Sequence, residues 1–581
     1  MPRYSLFAAV ALLSRLALTA FSLLSPTVAA VENPHAAQLV PAKATTTRQT
    51  QPPAPLVAPP GNGLYQAQRG DSIPSVARKY LRKTKYLTSS ELAEAIRAAN
   101  GNRQGAFLKP GEQILIPGIL ESPIVEKSVP VASDFEVRAI YLTGVMAGSD
   151  HGARVIRHWR EVGGNAVVFD IKDSDGIVNI AFDHPLASGQ RHYISDLPKF
   201  IRFLHSQNMH AIALIAIFRD EHLVTTHPEL AVKSRRTGEP WRENGKLVWT
   251  DPSNLKVQDY DIALAKFVAE SGADEVQFDY VRFPAEGDQK DALFAFQADQ
   301  SNSAQPEAAA DSTTGQPCSV AVAPGAAPKG QENIAHGASH GSAARNNGQA
   351  PKGRKNGCQT ASAPAHGIQR SDVIANFLQR AYAQIHPTGV LLSLDVFGVM
   401  AWQRPVDLSH TGQDIVAMAK HCDVLSPMIY PSHFFGMDGI AHPGDAPEHF
   451  IGESMDRFKL ITKDSGVVIR PWLQAFAWRT RTYSPKYVEV QVEVAKQKGG
   501  VGFLFWNANN DYSKPYAAMP EMRAANAKDK GRFFRGDEIG AKAEAGVASA
   551  APAAIPAAAS TGNAQSGTSG GSHKPPTIYR H

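Results

Sequence analysis

The chain has 581 residues, of which 43% are apolar, and its formal net charge at pH 7 is +5. A chain of this length exceeds what one hydrophobic core usually organises, so we expect at least two domains. The charge is small and the basic residues are scattered, which argues against nucleic acid as a partner.

The N-terminus has the pattern of an export signal. Arg3 precedes an apolar run from Leu6 to Leu24, and the small residues Val28-Ala29-Ala30 follow, as signal peptidase requires. The alternative is an uncleaved membrane anchor, but Arg15 within the run would cost roughly 3 kcal/mol in a bilayer. We therefore predict a signal peptide over 1–30 and an exported protein, either of the periplasm or cell envelope or fully secreted. We expect no later membrane span.

A compact module follows a linker at 31–62 that is rich in Ala, Pro, Thr and Gln. A short strand at Leu64-Tyr65 leads into Gly70-Asp71-Ser72, where Asp71 or Ser72 can cap a first helix. A second helix ends at Asn100, and a closing strand runs from Gln113 to Pro117. The pattern predicts a βααβ unit.

This unit, over 63–118, resembles a LysM domain in its Gly-Asp-Ser opening, in Asn100 and in the ending Pro110-Gly111 to Ile116-Pro117. The resemblance implies binding of N-acetylglucosamine-containing glycans such as peptidoglycan and chitin. The alternative is a small α/β module used for protein contacts. A second linker at 119–136 joins the module to the large domain.

The large domain, 137–535, alternates eight strand-like segments with helical stretches. The strand-like segments are Arg138 to Thr143, Ala166 to Ile171, Ala211 to Ile217, Glu275 to Val281, Val390 to Val396, Val424 to Tyr430, Val468 to Phe476, and Gly502 to Trp506. Helical periodicity is clear at His151 to Val162, Leu197 to Gln207, Val257 to Ser271, Ser371 to Gln384, and Lys486 to Lys498. The alternation predicts an α/β fold, a (β/α)8 barrel. The alternative, an open doubly wound sheet, is disfavoured because no Gly-rich phosphate turn follows the first strand.

Low-complexity sequence interrupts this domain at 286–368 and follows it at 536–581, and neither stretch can form a core. An insertion in a βα loop lies on the active-site face of a barrel, so it acts either as a mobile flap or, more commonly, as inert padding. Cys318 and Cys358 lie in the insertion and could pair in an oxidising compartment, whereas Cys422 fits a buried thiol. Zinc spacing is absent, and we expect neither metal nor cofactor.

Active sites of barrels gather at the C-terminal ends of the strands, and polar residues accumulate there in this chain. They are Asp170, Lys172 and Asp173, then Asp279 with Arg282, Asp395, Tyr430 with His433, Gln474, and Trp506 with Asn507. Side chains alternate along a strand, so Gln277 and Asp279 share one face and Ser393 and Asp395 share another. If these faces point inward, one cavity holds several carboxylates and aromatic rings.

Two carboxylates with aromatic platforms are what glycoside hydrolysis requires. We predict Asp279 as the nucleophile, kept ionised by Arg282, and Asp395 as the acid, because its apolar neighbours would raise the pKa of its carboxyl. The other strand-end residues are predicted to bind substrate. The competing interpretation is that Asp279 caps a loop or forms a structural ion pair with Arg282.

The ordered motifs along 137–535 resemble the glycoside hydrolase family DUF4015. They are Phe169 to Gly176, Phe278 to Pro284, Asp395 to Gly398, Ser426 to His433, Arg470 to Phe476, and Phe505 to Asn507. The resemblance implies a TIM barrel related to α-amylase, α-galactosidase and peptidoglycan-glycosidase groups, in which the Asp that ends the fourth strand is the nucleophile. Asp279 occupies that position. The acid of those groups lies on the fifth or sixth strand, and the sixth offers Tyr430 here, which supports Asp395.

We therefore expect an exported hydrolase of a glycan polymer, peptidoglycan or a related amino-sugar polysaccharide, held on it by the LysM module. Two alternatives remain open at this stage. One is a catalytically silent glycan-binding protein that keeps the barrel as a scaffold, and the other is an exopolysaccharide hydrolase that uses the LysM module only as a wall anchor.

Overall fold

The computed structural model describes residues 58–297 and 367–525, with side chains as far as 520. The predicted signal peptide, most of the first linker, the insertion between 298 and 366 with Cys318 and Cys358, and the tail lie outside the described residues. No helix within the described ranges has the length and hydropathy needed to cross a membrane.

The N-terminal module is the predicted βααβ unit. Strands Asn62–Gln66 and Gln113–Pro117 pair antiparallel, and helices Ile73–Tyr80 and Ser89–Ala99 lie between them in sequence. Ser72 caps the first helix, because its side chain accepts from the Ser75 amide. Asp71 instead accepts a hydrogen bond from the Tyr65 hydroxyl at 2.6 Å, which braces the opening turn.

The large domain is a closed barrel of eight parallel strands, as the sequence predicted. The strands are Val137–Leu142, Ala166–Lys172, His210–Ala216, Glu275–Asp279, Leu391–Phe397, Val424–Met428, the split seventh strand Val468–Ile469 and Trp472–Gln474, and Gly502–Trp506. They pair in this order, and the eighth closes on the first at Gly502↔Val137. Pro471 interrupts the seventh strand because it has no amide to donate. The fourth strand ends at Asp279, not at the predicted Val281, since Tyr280 takes the left-handed conformation with φ 53°.

Helices surround the barrel, and their apolar sides pack on the outward faces of the strands. They are Gly144–Ala147, Asp150–Glu161, Leu197–Ser206, Glu221–Thr226, Leu255–Glu270, Arg370–Ile385, Pro405–Thr411, Ile415–Met418, Pro447–Ile461, Pro485–Gln497 and Ser513–Ala525. Four two-residue strands, Lys233–Ser234, Arg242–Glu243, Leu247–Val248 and Ala292–Leu293, lie in the loops after the third and fourth barrel strands. A separate apolar cluster, which includes Val168, Leu214 and Leu504, fills the barrel interior.

The module is fixed to the outside of the barrel by polar contacts. Arg82 Nε donates to the Ser195 carbonyl at 2.8 Å, and Lys199 Nζ donates to the Leu81 carbonyl at 2.8 Å. Thr88 at the start of the second module helix hydrogen-bonds Asp150 at the start of the barrel's helix Asp150–Glu161. The module therefore lies against helices that follow the first two barrel strands.

A buried ion pair forms the floor of the barrel interior. Arg470 Nη1 donates to both oxygens of Glu275, at 2.9 and 2.8 Å, and neither side chain is exposed. His210 Nε2 lies 3.1 Å from the same carboxylate. Although burial opposes ionisation, Arg470 and His210 lower the pKa of Glu275 to about 2, so the pair stays charged.

Arg470→Met should destabilise the barrel by about 3–5 kcal/mol, because it leaves the Glu275 carboxylate buried without its main partner. Urea unfolding followed by tryptophan fluorescence measures the change. The matched control is Lys486→Met, which breaks a surface pair with Glu489 and should alter the free energy of unfolding by less than about 1 kcal/mol. Equal effects of the two substitutions would contradict this account.

Candidate active site

The two predicted catalytic carboxylates lie side by side in the interior. The fourth and fifth strands pair through Ser393↔Gln277 and Leu394↔Phe278, so the next residues along, Asp395 and Asp279, stand at the same level. Both side chains are on the inward face, as alternation predicted. Burial and then the negative charge of Asp279 raise the pKa of the Asp395 carboxyl.

Asp279 is half-buried at the end of its strand. Its Oδ1 accepts the amide hydrogen of Tyr280 at 2.6 Å. Burial raises the pKa of the Asp279 carboxyl, and it outweighs the Tyr280 hydrogen bond and the charges of Arg282 and Arg219, which favour the ionised form. Arg282 thus acts in the predicted direction, but the predicted net lowering of the pKa is wrong because burial is the larger effect.

Arg282 is itself almost completely enclosed. Its guanidinium lies 4.6 Å from the ring centroid of Trp249 and 4.4 Å from that of Phe397, and Nη1 donates to the Phe283 carbonyl. Its positive charge, enclosed between two aromatic rings, favours the ionised form of Asp279, and the low local polarity strengthens this effect. Arg282 therefore does not form the direct structural ion pair with Asp279 that was the competing interpretation.

Asp395 is held by two donors that meet at one oxygen. Gln277 Nε2 and Trp472 Nε1 both donate to Oδ1, at 2.5 and 2.7 Å, and the side chain is buried. Burial and then the charge of Asp279 raise the pKa of Asp395 well above its ordinary range. Because Oδ1 accepts both hydrogen bonds, Oδ2 is the oxygen left to carry a proton.

Asp170 brings a third carboxyl group to the interior from the second strand. Its Oδ2 accepts the Tyr141 hydroxyl hydrogen at 2.6 Å, and burial raises its pKa well above the ordinary range. Asp173 lies in the following loop, where its Oδ1 accepts the amides of Asp175 and Ile177. Burial raises the pKa of Asp173 to about 6.

Lys172 is not brought to this site, contrary to its predicted contact with substrate. Its ammonium is buried between Asp261, at 2.6 Å, and Asp220, at 3.2 Å. The register shift between Asp170 and Lys172 turns the side chain outward, towards helix Leu255–Glu270. Lys172 therefore ties the second strand to the helix layer.

Gln474 and Asn507 hold loops at the C-terminal ends of the strands, which form the mouth of the barrel. Gln474 accepts the Ser432 amide hydrogen and donates to the Thr480 hydroxyl, and Asn507 Nδ2 donates to the Ala475 carbonyl. Both side chains are buried, so the groups that sequence predicted to touch substrate are engaged with neighbouring backbone and side chains.

Aromatic rings form the wall of the interior beside the carboxylates. Tyr430 lies with its ring centroid 5.9 Å from that of Trp506 and 5.4 Å from that of His433. Burial lowers the pKa of His433 to about 4, so this ring is neutral near pH 7. The sequence correctly placed Tyr430, His433 and Trp506 at one end of the barrel.

Sequence reasoning missed several contributors to the site. Gln277 and Trp472 were not singled out as partners of Asp395, and Tyr141 was not singled out as the partner of Asp170. Alternation gave a signal for Gln277, which shares the inward face of Asp279. Across 58–297 and 367–520, no group of three or more His, Cys, Asp or Glu side chains is arranged to hold a metal ion.

Comparison with known proteins places this site in a family. The family described as "DUF4015: Putative glycosyl hydrolase domain" matches residues 139–512. Among solved structures, a hypothetical protein from Ruminiclostridium thermocellum ATCC 27405 is 28% identical, with a TM-score of 0.30 over 44% of this chain and 97% of that chain. A search of curated proteins gave no match.

Two further solved structures are similar. The PgaB (BpsB) glycoside hydrolase domain from Bordetella bronchiseptica is 11% identical, with a TM-score of 0.43 over 66% of this chain and 99% of that chain. The spore cortex-lytic enzyme SleL from Bacillus megaterium QM B1551 is 12% identical, with a TM-score of 0.34 over 78% of this chain and 85% of that chain.

Proposed function

Because the chain belongs to the DUF4015 family of glycosyl hydrolase domains, we propose that it hydrolyses an amino-sugar-containing glycan, foremost the glycan strands of peptidoglycan. Asp279 is the nucleophile and Asp395 is the acid/base. The observation that carries this proposal is the pair of inward-facing aspartates on neighbouring strands, whose surroundings differ in polarity and charge.

The surroundings of the two carboxyl groups suit these roles. Asp279 has an amide donor and two guanidinium charges that favour its carboxylate form, whereas burial and the negative charge of Asp279 raise the pKa of Asp395 and favour its protonated form. In the first step Oδ2 of Asp395 protonates the leaving oxygen while Asp279 forms a bond to the anomeric carbon. In the second, Asp395 accepts a proton from the water that displaces Asp279 and releases the sugar.

The remaining mouth residues have roles in substrate binding under this proposal. Asp170 and Asp173 offer oxygens for sugar hydroxyls, and Tyr430, His433 and Trp506 offer rings. The half-exposed Trp506 ring presents a flat apolar surface on which the CH face of a sugar can stack. Arg282 acts on Asp279 by its charge, since its guanidinium is enclosed.

The N-terminal module supports a polymeric substrate. Its βααβ architecture, together with the Gly70-Asp71-Ser72 opening and Asn100, whose side chain bonds the Leu115 backbone, supports a LysM domain that binds amino-sugar glycans. Attachment of the module to an insoluble polymer would raise the local concentration of cleavable bonds at the barrel. The export signal proposed at 1–30 would place the protein with that polymer, in the periplasm or cell envelope or outside the cell.

Digestion of four polymers tests the proposal. Purified sacculi, denuded glycan strands, chitin and a partially deacetylated amino-sugar polymer are incubated with the full chain, and new reducing ends are identified by mass spectrometry. Cleavage of sacculi or glycan strands is the expected result. Cleavage of the deacetylated polymer alone would reassign the substrate to an exopolysaccharide. Binding to sacculi without cleavage of any polymer would reassign the protein to glycan binding.

Trp472→Phe should shift the alkaline limb of the pH–rate profile to higher pH. The indole donates to Oδ1 of Asp395 and favours its ionised form, so its loss raises the pKa of the acid further. The value of kcat should fall by roughly tenfold or less, as expected for one hydrogen bond. Trp159→Phe is the matched control, because it removes a buried indole that donates to the Arg138 carbonyl outside the interior. An unshifted limb in Trp472→Phe would contradict the assignment.

A further inference from the structure

A row of aromatic rings leads outward from the wall of the barrel interior. The ring centroid of Trp506 lies 5.4 Å from that of Phe476, Phe476 lies 5.9 Å from His433, and His433 lies 4.9 Å from Trp478. Each of these four side chains is only partly buried. The row therefore begins at the interior wall and continues over the loops that follow the sixth and seventh strands.

Arg479 and Phe435 extend the row at its outer end. The guanidinium of Arg479 lies 4.4 Å from the ring centroid of Trp478 and 4.2 Å from that of Phe435. Phe435 is 46% exposed, and Arg479 adopts a left-handed backbone conformation with φ 51°. Arg479 covers part of each ring, and the outer end presents the remaining exposed surface of Phe435 and Trp478 beside a cation with several hydrogen-bond donors.

Hydrogen bonds hold the loops that carry this row in place. Gln474 joins the two loops, because it accepts from the Ser432 amide and donates to Thr480 Oγ1. The Asp445 carboxylate also accepts hydrogen bonds from the Arg481 amide and guanidinium, at 2.7 and 2.8 Å. The backbone that carries the exposed rings is therefore ordered before a ligand binds, which lowers the conformational entropy lost on binding.

Among residues 58–297 and 367–520, the rings on the opposite side of the mouth are more enclosed. Trp249 is fully buried. Tyr280 packs edge-on against the same indole, with ring centroids 5.8 Å apart. In the part of the chain that the structure describes, the more exposed rings of the mouth therefore lie on the side of the sixth to eighth strands.

We propose that the aromatic row formed by Trp506, Phe476, His433, Trp478 and Phe435 binds successive sugar units of a glycan chain whose cleaved bond lies at Asp279. Stacking of sugar CH faces on the rings and hydrogen bonds from Arg479 to hydroxyl groups would hold several units beyond the cleaved one. The proposal rests on the proposed function and adds to it that the barrel itself selects long chains. The row begins at Trp506, whose ring centroid lies 5.9 Å from that of Tyr430 in the barrel interior, which is why its occupant is the same glycan.

Kinetics on long and short substrates test this inference. Trp478→Ala and Phe435→Ala should each raise KM for denuded glycan strands about 3- to 10-fold and leave kcat unchanged, because the lost contact is equal in ground and transition states. The same variants should leave KM for a fluorogenic chitobioside unchanged. Trp402→Ala is the matched control, since Trp402 is a half-buried indole that packs on Phe434 and Arg457 outside the row.

A binding measurement separates this inference from the proposed function. Calorimetric titration of soluble chito-oligosaccharides of increasing length into Asp279→Asn chains needs no turnover. The N-terminal module contributes equally in every variant, so a loss of affinity in Trp478→Ala but not in Trp402→Ala belongs to the row. Such a loss would support the row even if no polymer were cleaved. Affinity and KM for long chains that match the control, or an equal loss on short and long substrates, would overturn it.

Discussion

Asp279→Asn should lower kcat by more than about 10⁴-fold on any glycan that the protein cleaves, as loss of a nucleophile does in other hydrolases. The amide is isosteric with the carboxylate and its oxygen can still accept the Tyr280 hydrogen bond, so the local backbone should persist. What disappears is the negative charge that attacks the anomeric carbon. Folding and binding to sacculi should therefore be retained.

A matched control separates loss of the nucleophile from mere loss of a negative charge at the mouth. Asp175→Asn is the matched control, because its side chain is 69% exposed at the same end of the barrel and only approaches Arg219. It should keep turnover within a few-fold, since surface substitutions of this kind perturb little. Turnover by Asp279→Asn equal to that of the control would remove Asp279 from the mechanism. An unmodified protein without turnover would instead favour a glycan-binding role.

The fold was predictable because its signals are local. Each barrel strand is a short apolar run between turn residues, and alternation along the strand assigns its inward face from sequence alone. Asp279 and Asp395 could be placed together for the same reason, since the carboxyl ends of parallel strands meet at one end of a barrel. Helix Pro447–Ile461 was missed, because Ala446 provides no capping side chain and the helix contains a glycine, which weakens the helical pattern.

The pKa values and the hydrogen-bond partners of the site residues could not be predicted, because they depend on residues that are distant in sequence. The net rise in the pKa of Asp279 reflects burial, and Trp249, from a distant loop, packs against the neighbouring Arg282. Trp472 reaches Asp395 across the barrel from the seventh strand. Lys172 was misplaced because one β-bulge reversed the direction of its side chain. None of these effects has a signature within a short window of sequence.

Asp395→Asn should lower kcat by about 10²–10⁴-fold on natural glycans and change the shape of the pH profile. Burial and Asp279 raise the pKa of Asp395, so activity of the unmodified protein should fall as pH rises through that raised pKa. An amide does not titrate, and the variant should lack this alkaline limb. Gln277 and Trp472 still find an acceptor oxygen at Oδ1, so folding should be preserved.

Substrate chemistry then distinguishes an acid from a structural residue. A glycoside with a leaving group of low pKa needs no proton in the bond-breaking step, so Asp395→Asn should form the covalent intermediate on Asp279 at nearly the rate of the unmodified protein. Added azide should replace the water that Asp395 no longer activates and yield a glycosyl azide. Equal loss on activated and natural substrates, with the alkaline limb retained, would exclude Asp395 as the acid and leave Asp170, whose buried carboxyl also has a raised pKa, as the group to test.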